Sequence, residues 1–207
     1  MKKVGFVSLG CPKNLVASEV MMGTLEQAGW EITNNASEAD TVVVNTCGFI
    51  ESAKQESIDA ILEATGLKAE GKAKRVVVAG CLVERYRDDL MKELPEVDAF
   101  IGTNEVTRIL EAADETNKFR ELPLLPIGNK TATYLYDFDT PRHRATDSHT
   151  AFIKIAEGCD RPCAFCSIPS MRGSFRSRRF GSIIEEARNL AKQGVKELVL
   201  IAQDSSR

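Results

Sequence analysis

The sequence predicts an α/β protein: an N-terminal parallel-sheet domain followed by the start of a (β/α) barrel. Three observations lead there. Short runs rich in β-branched residues, around 3–9, 41–45 and 75–79, alternate with stretches of helical periodicity, the pattern of a parallel sheet covered by helices. Each of these runs stops at a cysteine, Cys11, Cys47 and Cys81, spaced 36 and 34 residues apart. A later apolar run at 150–156 leads into a loop with the other three cysteines, then one helical stretch and one more strand.

Taken in order, residues 3–9 read as a strand ending in the turn Gly10-Cys11-Pro12. Asn14 is placed to cap the helix that follows, Leu15, Met22, Leu25 and Ala28 lie on one face of it, and Gly29 closes it. Residues 30–33 read as a second strand. The run at 41–45 suits a strand buried on both faces and ends in Thr46-Cys47-Gly48. A helix is expected from about 50 to 65, with Ala53, Ser57, Ile61 and Ala64 at helical spacing. Residues 75–79 give another buried strand, ending in Gly80-Cys81. A helix then runs to about Leu94, where Pro95 breaks it. A short strand at 99–102 and a helix at 105–113 complete a domain over 1–117.

Residues 118–148 read as a connector punctuated by Pro123, Pro126, Gly128 and Pro141, with a strand at 134–138. Over 149–207 the pattern is strand (150–156), cysteine loop, helix (182–193) and strand (197–201), a single βαβ unit. A complete barrel needs on the order of 250 residues, so this unit reads as incomplete, in a fragment or a truncated gene. An unclosed barrel exposes a strand edge, and the part after Ser148 is expected to be mobile or prone to aggregation.

The net charge of −3 excludes a chain that coats nucleic acid along its length, and DNA is not an expected partner. The charge is uneven: residues 131–180 carry eight Lys/Arg against five Asp/Glu, which leaves −6 on the remainder. Six cysteines could form disulfides in an oxidising compartment. The apolar run before Gly10, however, is too short for a signal-peptide core, and no run approaches the roughly 20 apolar residues of a membrane span. The expectation is a cytoplasmic protein with reduced thiols available for metal.

Cys159, Cys163 and Cys166 form a C-x3-C-x2-C loop in which Gly158 and Pro162 allow the chain to wrap around one centre. Thiolates select zinc, copper(I) or iron–sulfur clusters. Closed zinc sites and fully ligated cubane clusters each take four protein ligands, so three leave one position open. Cys11, Cys47 and Cys81 sit at the same phase of three βα units. Ligands gather at the carboxyl ends of parallel strands, which makes these three a second candidate site; the alternative is three small buried side chains. Zinc with an outside fourth ligand stays open for the loop, and His149 is one residue that could supply it.

This combination resembles the methylthiotransferases, radical S-adenosylmethionine enzymes with two [4Fe-4S] clusters. The strings Gly5-Phe6-Val7-Ser8-Leu9-Gly10-Cys11-Pro12-Lys13-Asn14, Asn45-Thr46-Cys47-Gly48-Phe49-Ile50 and Pro169-Ser170-Met171-Arg172-Gly173 resemble the branch that modifies ribosomal protein S12. The tRNA-modifying branch tends to carry Gln-Met-Asn after the first cysteine and Tyr in place of Ser170. The resemblance implies that Cys159, Cys163 and Cys166 hold the cluster whose free iron binds S-adenosylmethionine, and that Cys11, Cys47 and Cys81 hold an auxiliary cluster that carries the sulfur. It further implies hydrogen abstraction by a 5′-deoxyadenosyl radical from the β-carbon of an S12 aspartate, with flavodoxin or ferredoxin as electron donor. Phe165 is expected to shield the cluster and cover the adenine. Gln203 and Asp204 are expected near the cofactor's amino group. The basic run Arg172, Arg176, Arg178 and Arg179 is expected at the cofactor carboxylate or the ribosome. Family members continue with the rest of the barrel and a TRAM domain, which this sequence lacks. A tRNA methylthiotransferase, or a non-catalytic iron–sulfur or zinc-binding module, stays as the alternative.

Overall fold

The computed structural model describes residues 1–116 and 134–206, so part of the expected connector, with Pro123, Pro126 and Gly128, lies outside the described residues. The N-terminal part alternates β1 (Lys3–Ser8), α1 (Pro12–Gln27), β2 (Glu31–Thr33), β3 (Thr41–Thr46), α2 (Glu51–Ala69), β4 (Arg75–Gly80), α3 (Cys81–Glu93), β5 (Ala99–Ile101) and α4 (Ile109–Ala113). The five strands form one sheet in the order β2-β1-β3-β4-β5, parallel throughout. Parallel strands are covered on both faces, and every residue of β3 and β4 is buried.

Alternate side chains of a strand point to opposite faces, and the two cores divide that way. Val43 and Val77 pack with Val16, Val20 and Leu25 of α1 and Ile109 of α4. Val42, Val44, Val76 and Val78 pack with Ile61 of α2 and Leu82 and Leu90 of α3. Each fully buried valine contributes about 1.5–3 kcal/mol, which explains the choice of Val at three successive core positions in each of two strands.

The helix ends correct three sequence expectations. Asn14 is not the cap of α1. Pro12 occupies the first helical turn, Cys11 is the N-cap with no side-chain cap bond, and Asn14 lies buried inside the helix. The helix does close at Gly29, whose φ of +85° is in the left-handed region. The second helix runs on to Ala69, four residues past the expected end. The expected helix at 105–113 begins as a 3-10 turn, Val106–Arg108, before α4.

Residues 134–138 form no strand. Tyr136 is buried, and its Oη accepts from Lys154 N (3.0 Å) and lies 3.2 Å from both carboxylate oxygens of Glu186. Arg178 stacks on its ring at 4.2 Å. Side chains, rather than a backbone ladder, hold this segment.

The remaining elements are β6 (Thr150–Lys154), β7 (Ala156–Glu157), α5 (Ile168–Arg172), β8 (Arg176–Ser177), α6 (Phe180–Lys192) and β9 (Glu197–Ile201). The β6–β9 pair is parallel with α6 between them in sequence, the expected βαβ unit. The single strand expected at 150–156 is two. At Ile155 the backbone changes partner: its N–H donates to Ile201 O (3.0 Å) while its carbonyl accepts from Arg178 N (2.9 Å). Residues 156–157 then pair antiparallel with β8, an element the sequence pattern did not reveal. Leu198 and Leu200 of β9 are 38% and 59% exposed.

A charged knot joins the two parts. Pro141 and Arg142 lie over Gly23 of α1, where an added Cβ would stand 2.6 Å from Pro141 C and 2.7 Å from Arg142 Cα. Arg142 donates from Nε to Glu19 (2.7 Å) and from its Nη1 to Glu186 (2.7 Å). Glu19 is fully buried and also accepts from Ala145 N (2.8 Å). Among the described residues no helix is long and apolar enough to cross a membrane.

Candidate metal centres

Parallel strands of equal phase end on one edge, so the cysteines that follow them meet there. Cys11, Cys47 and Cys81 follow β1, β3 and β4, three adjacent strands of the sheet. Each is held differently. Cys11 caps α1 in extended backbone. The Cys47 N–H donates to Ser57 Oγ and its carbonyl accepts from the same hydroxyl, both at 3.0 Å, so a buried serine of α2 fixes the turn. Cys81 opens α3 behind Gly80, whose φ is +100°. A Cβ on Gly80 would stand 2.5 Å from Thr46 O, so only glycine lets β4 run this close to β3. Gly10, at φ +87°, leaves the space beside Cys47, where an added Cβ would be 2.8 Å from the Cys47 Cβ and 3.1 Å from its Sγ.

The carbonyl ends of β1 and β3 are gathered by Asn14. Its Nδ2 donates to Leu9 O (2.8 Å) and Thr46 O (3.2 Å), and Asn45 Nδ2 returns a bond to Asn14 O (2.9 Å). The sequence reading missed this role. The signal was an amide residue inside a helix rather than before its first turn, where a capping side chain belongs.

Cys81 is buried, and burial pushes its thiol up, as do Cys11 and Cys47 when charged, against the pull of Arg172. Arg172 is 3% exposed and donates from Nη2 to Cys81 Sγ (3.1 Å) and to Asn14 Oδ1 (3.2 Å). Burial alone would lower its pKa, but Cys81 and Glu157 outweigh it and keep the guanidinium charged. The four arginines of the basic run are not alike. Arg172 and Arg178 are buried, Arg178 bonding Glu186 and Ser182 Oγ, and Arg176 is half-buried and donates to the carbonyls of Ser174 and Arg172. Arg179 alone of the four is exposed.

Cys159, Cys163 and Cys166 lie on the irregular loop between β7 and α5, buried, exposed and half-buried in that order. The loop is tied at several points. Gly158 has φ +77°, and a Cβ there would stand 2.5 Å from Gly173 O. The Cys159 N–H donates to Gly173 O (3.1 Å), Phe175 N to Asp160 (3.0 Å), and Cys166 N to Cys163 O (3.1 Å). Gln203 and Asp204, just past β9, both reach this loop. Gln203 Oε1 accepts from Gly158 N (3.1 Å) and its Nε2 donates to Glu157 (2.9 Å), while Asp204 accepts from Arg161 Nε (2.9 Å). Ser206 and Arg161 hold Asp204 down at about 2. Burial pushes Glu157 up, but Lys154, whose Nζ is 2.6 Å away, and Arg172 prevail and bring it to about 2. Phe165 projects into solvent, 92% exposed. His149 precedes β6, at the opposite end of that strand from the cysteine loop.

Among the described residues no three Cys, His, Asp or Glu side chains converge tightly enough to grip one ion. A zinc ion needs every sulfur about 2.3 Å from a single centre. A cluster takes its thiolates on separate irons, so it accepts the looser spacing of three neighbouring strand ends.

Gly158→Ala is expected to destabilise the fold well beyond Gly194→Ala. Both glycines have positive φ, +77° and +92°, but Gly194 has nothing within 4 Å of an added Cβ while Gly158 meets backbone. The difference in urea midpoint isolates the clash from the backbone strain of about 1 kcal/mol. Equal midpoints would show that the loop has no need of Gly158.

Residues 3–102 match the model of a family described as uncharacterized protein family UPF0004. Over 99% of the chain, 54% of residues are identical to the ribosomal protein uS12 methylthiotransferase RimO of Solibacter usitatus, and 50% to that of Koribacter versatilis. Identity to the same-named protein of Caldicellulosiruptor saccharolyticus is 50% over the whole chain. The chain spans 42%, 48% and 46% of those three relatives, just under half their length. Among solved structures, the radical S-adenosylmethionine methyltransferase TsrM from Kitasatospora setae, with cobalamin and a [4Fe-4S] cluster bound, superposes with a TM-score of 0.58 at 15% identity. That alignment covers 99% of this chain and 48% of that one. At that identity the likeness concerns the fold.

Proposed function

We propose that the chain belongs to the methylthiotransferase family of those relatives and is the cluster-bearing part of an enzyme that adds a methylthio group to the β-carbon of an aspartate of ribosomal protein S12. The observation that carries the reading is the pair of three-cysteine sets. One stands at the ends of three adjacent strands, and the other lies on a loop pinned by Gly158, Gly173 and Gln203. Cys11, Cys47 and Cys81 would hold one [4Fe-4S] cluster and Cys159, Cys163 and Cys166 the other. Thiolate donors suit iron–sulfur clusters, and glycines at positions 10 and 158 leave room where any side chain would intrude. When bound, the two clusters and S-adenosylmethionine supply the one-electron chemistry and the sulfur.

The chain's own groups bind and orient. Ser57 and Asn14 fix the turns that present Cys47 and Cys11. Gln203 and Glu157 hold the backbone of the second loop at Gly158, and Arg161 with Asp204 holds its outer limb. Gln203 and Asp204 would meet the amino group of S-adenosylmethionine while already holding the loop. The exposed ring of Phe165 stands between the second and third cysteines, where it would cover the adenine and keep water from the cluster. The acidic balance outside 131–180 suits a basic ribosomal protein better than a polyanion. The electron donor would be a flavodoxin or ferredoxin, and the setting the cytoplasm, where S12 is made.

Removal of the gene is expected to abolish the methylthio mass increment on S12 while the tRNA nucleosides stay unchanged, as read by mass spectrometry of both pools. Loss of a modified adenosine with S12 unaltered would overturn the choice of substrate.

A further inference from the structure

Four residues after the second cysteine loop touch both cysteine sets. Thr103 Oγ1 donates to Met171 O (2.7 Å), which ties the segment to the end of the sheet beyond β5. Arg172 reaches the first set through Cys81 Sγ and through Asn14, the side chain that gathers the ends of β1 and β3. Gly173 O receives the N–H of Cys159, and Gly173 and Ser174 pack so closely on Gly158 that no Cβ fits between. Arg172 also lies 3.6 Å from Glu157, the carboxylate that Gln203 and Lys154 share beside the second set.

We propose that residues 171–174 form a strut that fixes the two cysteine sets relative to each other, with Arg172 the positioning residue that sets the reduction potential of the first. The inference rests on the two-cluster reading above. A hydrogen bond and a positive charge at a ligating sulfur stabilise the reduced, more negative cluster and raise its potential. Arg172 supplies both to Cys81, from a site with 3% exposure where solvent screens little. The planar guanidinium serves both sides at once, with Nη2 on Asn14 and Cys81 and Nη1 facing Glu157. A lysine brings the charge on a single nitrogen, which cannot occupy both positions, and a glutamine brings a donor without the charge.

The test uses the 207-residue chain with Cys159, Cys163 and Cys166 changed to Ala, so that only the first set titrates. Arg172→Gln is expected to move the midpoint potential of that cluster to a more negative value, with Arg172→Lys between it and the parent. That parent's iron content and circular dichroism are measured beside those of the chain with all six cysteines. No iron in the six-cysteine chain overturns the two-cluster reading itself. Iron in both, beside an Arg172→Gln chain that is folded, loaded and unchanged in potential, overturns the role of Arg172 and leaves the function standing. Should the Gln variant fail to fold, an Arg172→Lys potential equal to the parent's does the same.

Discussion

Changing Cys11, Cys47 and Cys81 together to Ala is expected to remove about half of the roughly eight irons that two four-iron clusters would bring to each chain. Changing Cys159, Cys163 and Cys166 is expected to remove the other half. The independence follows from the architecture. The first set is presented by three strand ends of a sheet closed by residues 3–101, and the second by a loop pinned by its own flanks and by Gln203. Neither triple removes a large buried side chain, and Cys47, Cys11, Cys163 and Cys166 retain solvent contact, so the fold is expected to survive each. Anaerobic reconstitution followed by iron and sulfide analysis reads the result. Loss of all iron from one triple in a folded chain would show that the ligands are grouped wrongly. A colourless parent holding stoichiometric zinc would favour the zinc-binding alternative and sink the enzyme reading.

Arg142→Met is expected to destabilise the protein by about 3–5 kcal/mol, the cost of leaving a buried charge without its partner. Glu19 is fully buried, and without Arg142 it keeps, among the described residues, only the backbone N–H of Ala145 as a donor to its side chain. Glu186 fares better because Arg178 also bonds it. The expected loss therefore centres on Glu19, and pairing Arg142→Met with Glu19→Gln should recover part of it. Urea unfolding of the two single variants and the double variant gives the coupling directly. Independent, additive losses would mean that the knot is not a functioning ion pair.

The parallel sheet could be read from the sequence because its determinants are local. Runs such as Thr41 to Asn45 are β-branched and apolar on both faces, and each stops at a cysteine, which fixed the strand ends and thereby the common edge. The misreadings share a cause: they concern side chains whose partners are remote in sequence. Asn14 looks like a cap until Asn45 and Thr46 stand beside it. Tyr134 to Phe138 has the composition of a strand, yet Tyr136 is committed to Lys154 and Glu186. Arg172 and Arg178 form part of a basic run on paper, but each meets an acid or thiol that only the fold supplies. The β7–β8 pair escaped notice because its strands are two residues long and the whole cysteine loop and α5 lie between them.

The contacts of Arg172 have a temporal consequence. It bonds Cys81 across 91 positions of sequence and Asn14 across 158. Domains form from the N-terminus as the ribosome delivers the chain, at about 5–20 residues per second. The three strand-end thiols are therefore assembled several seconds before the guanidinium that will lie over one of them emerges. During that interval the edge of the sheet stands without the guanidinium that later covers Cys81.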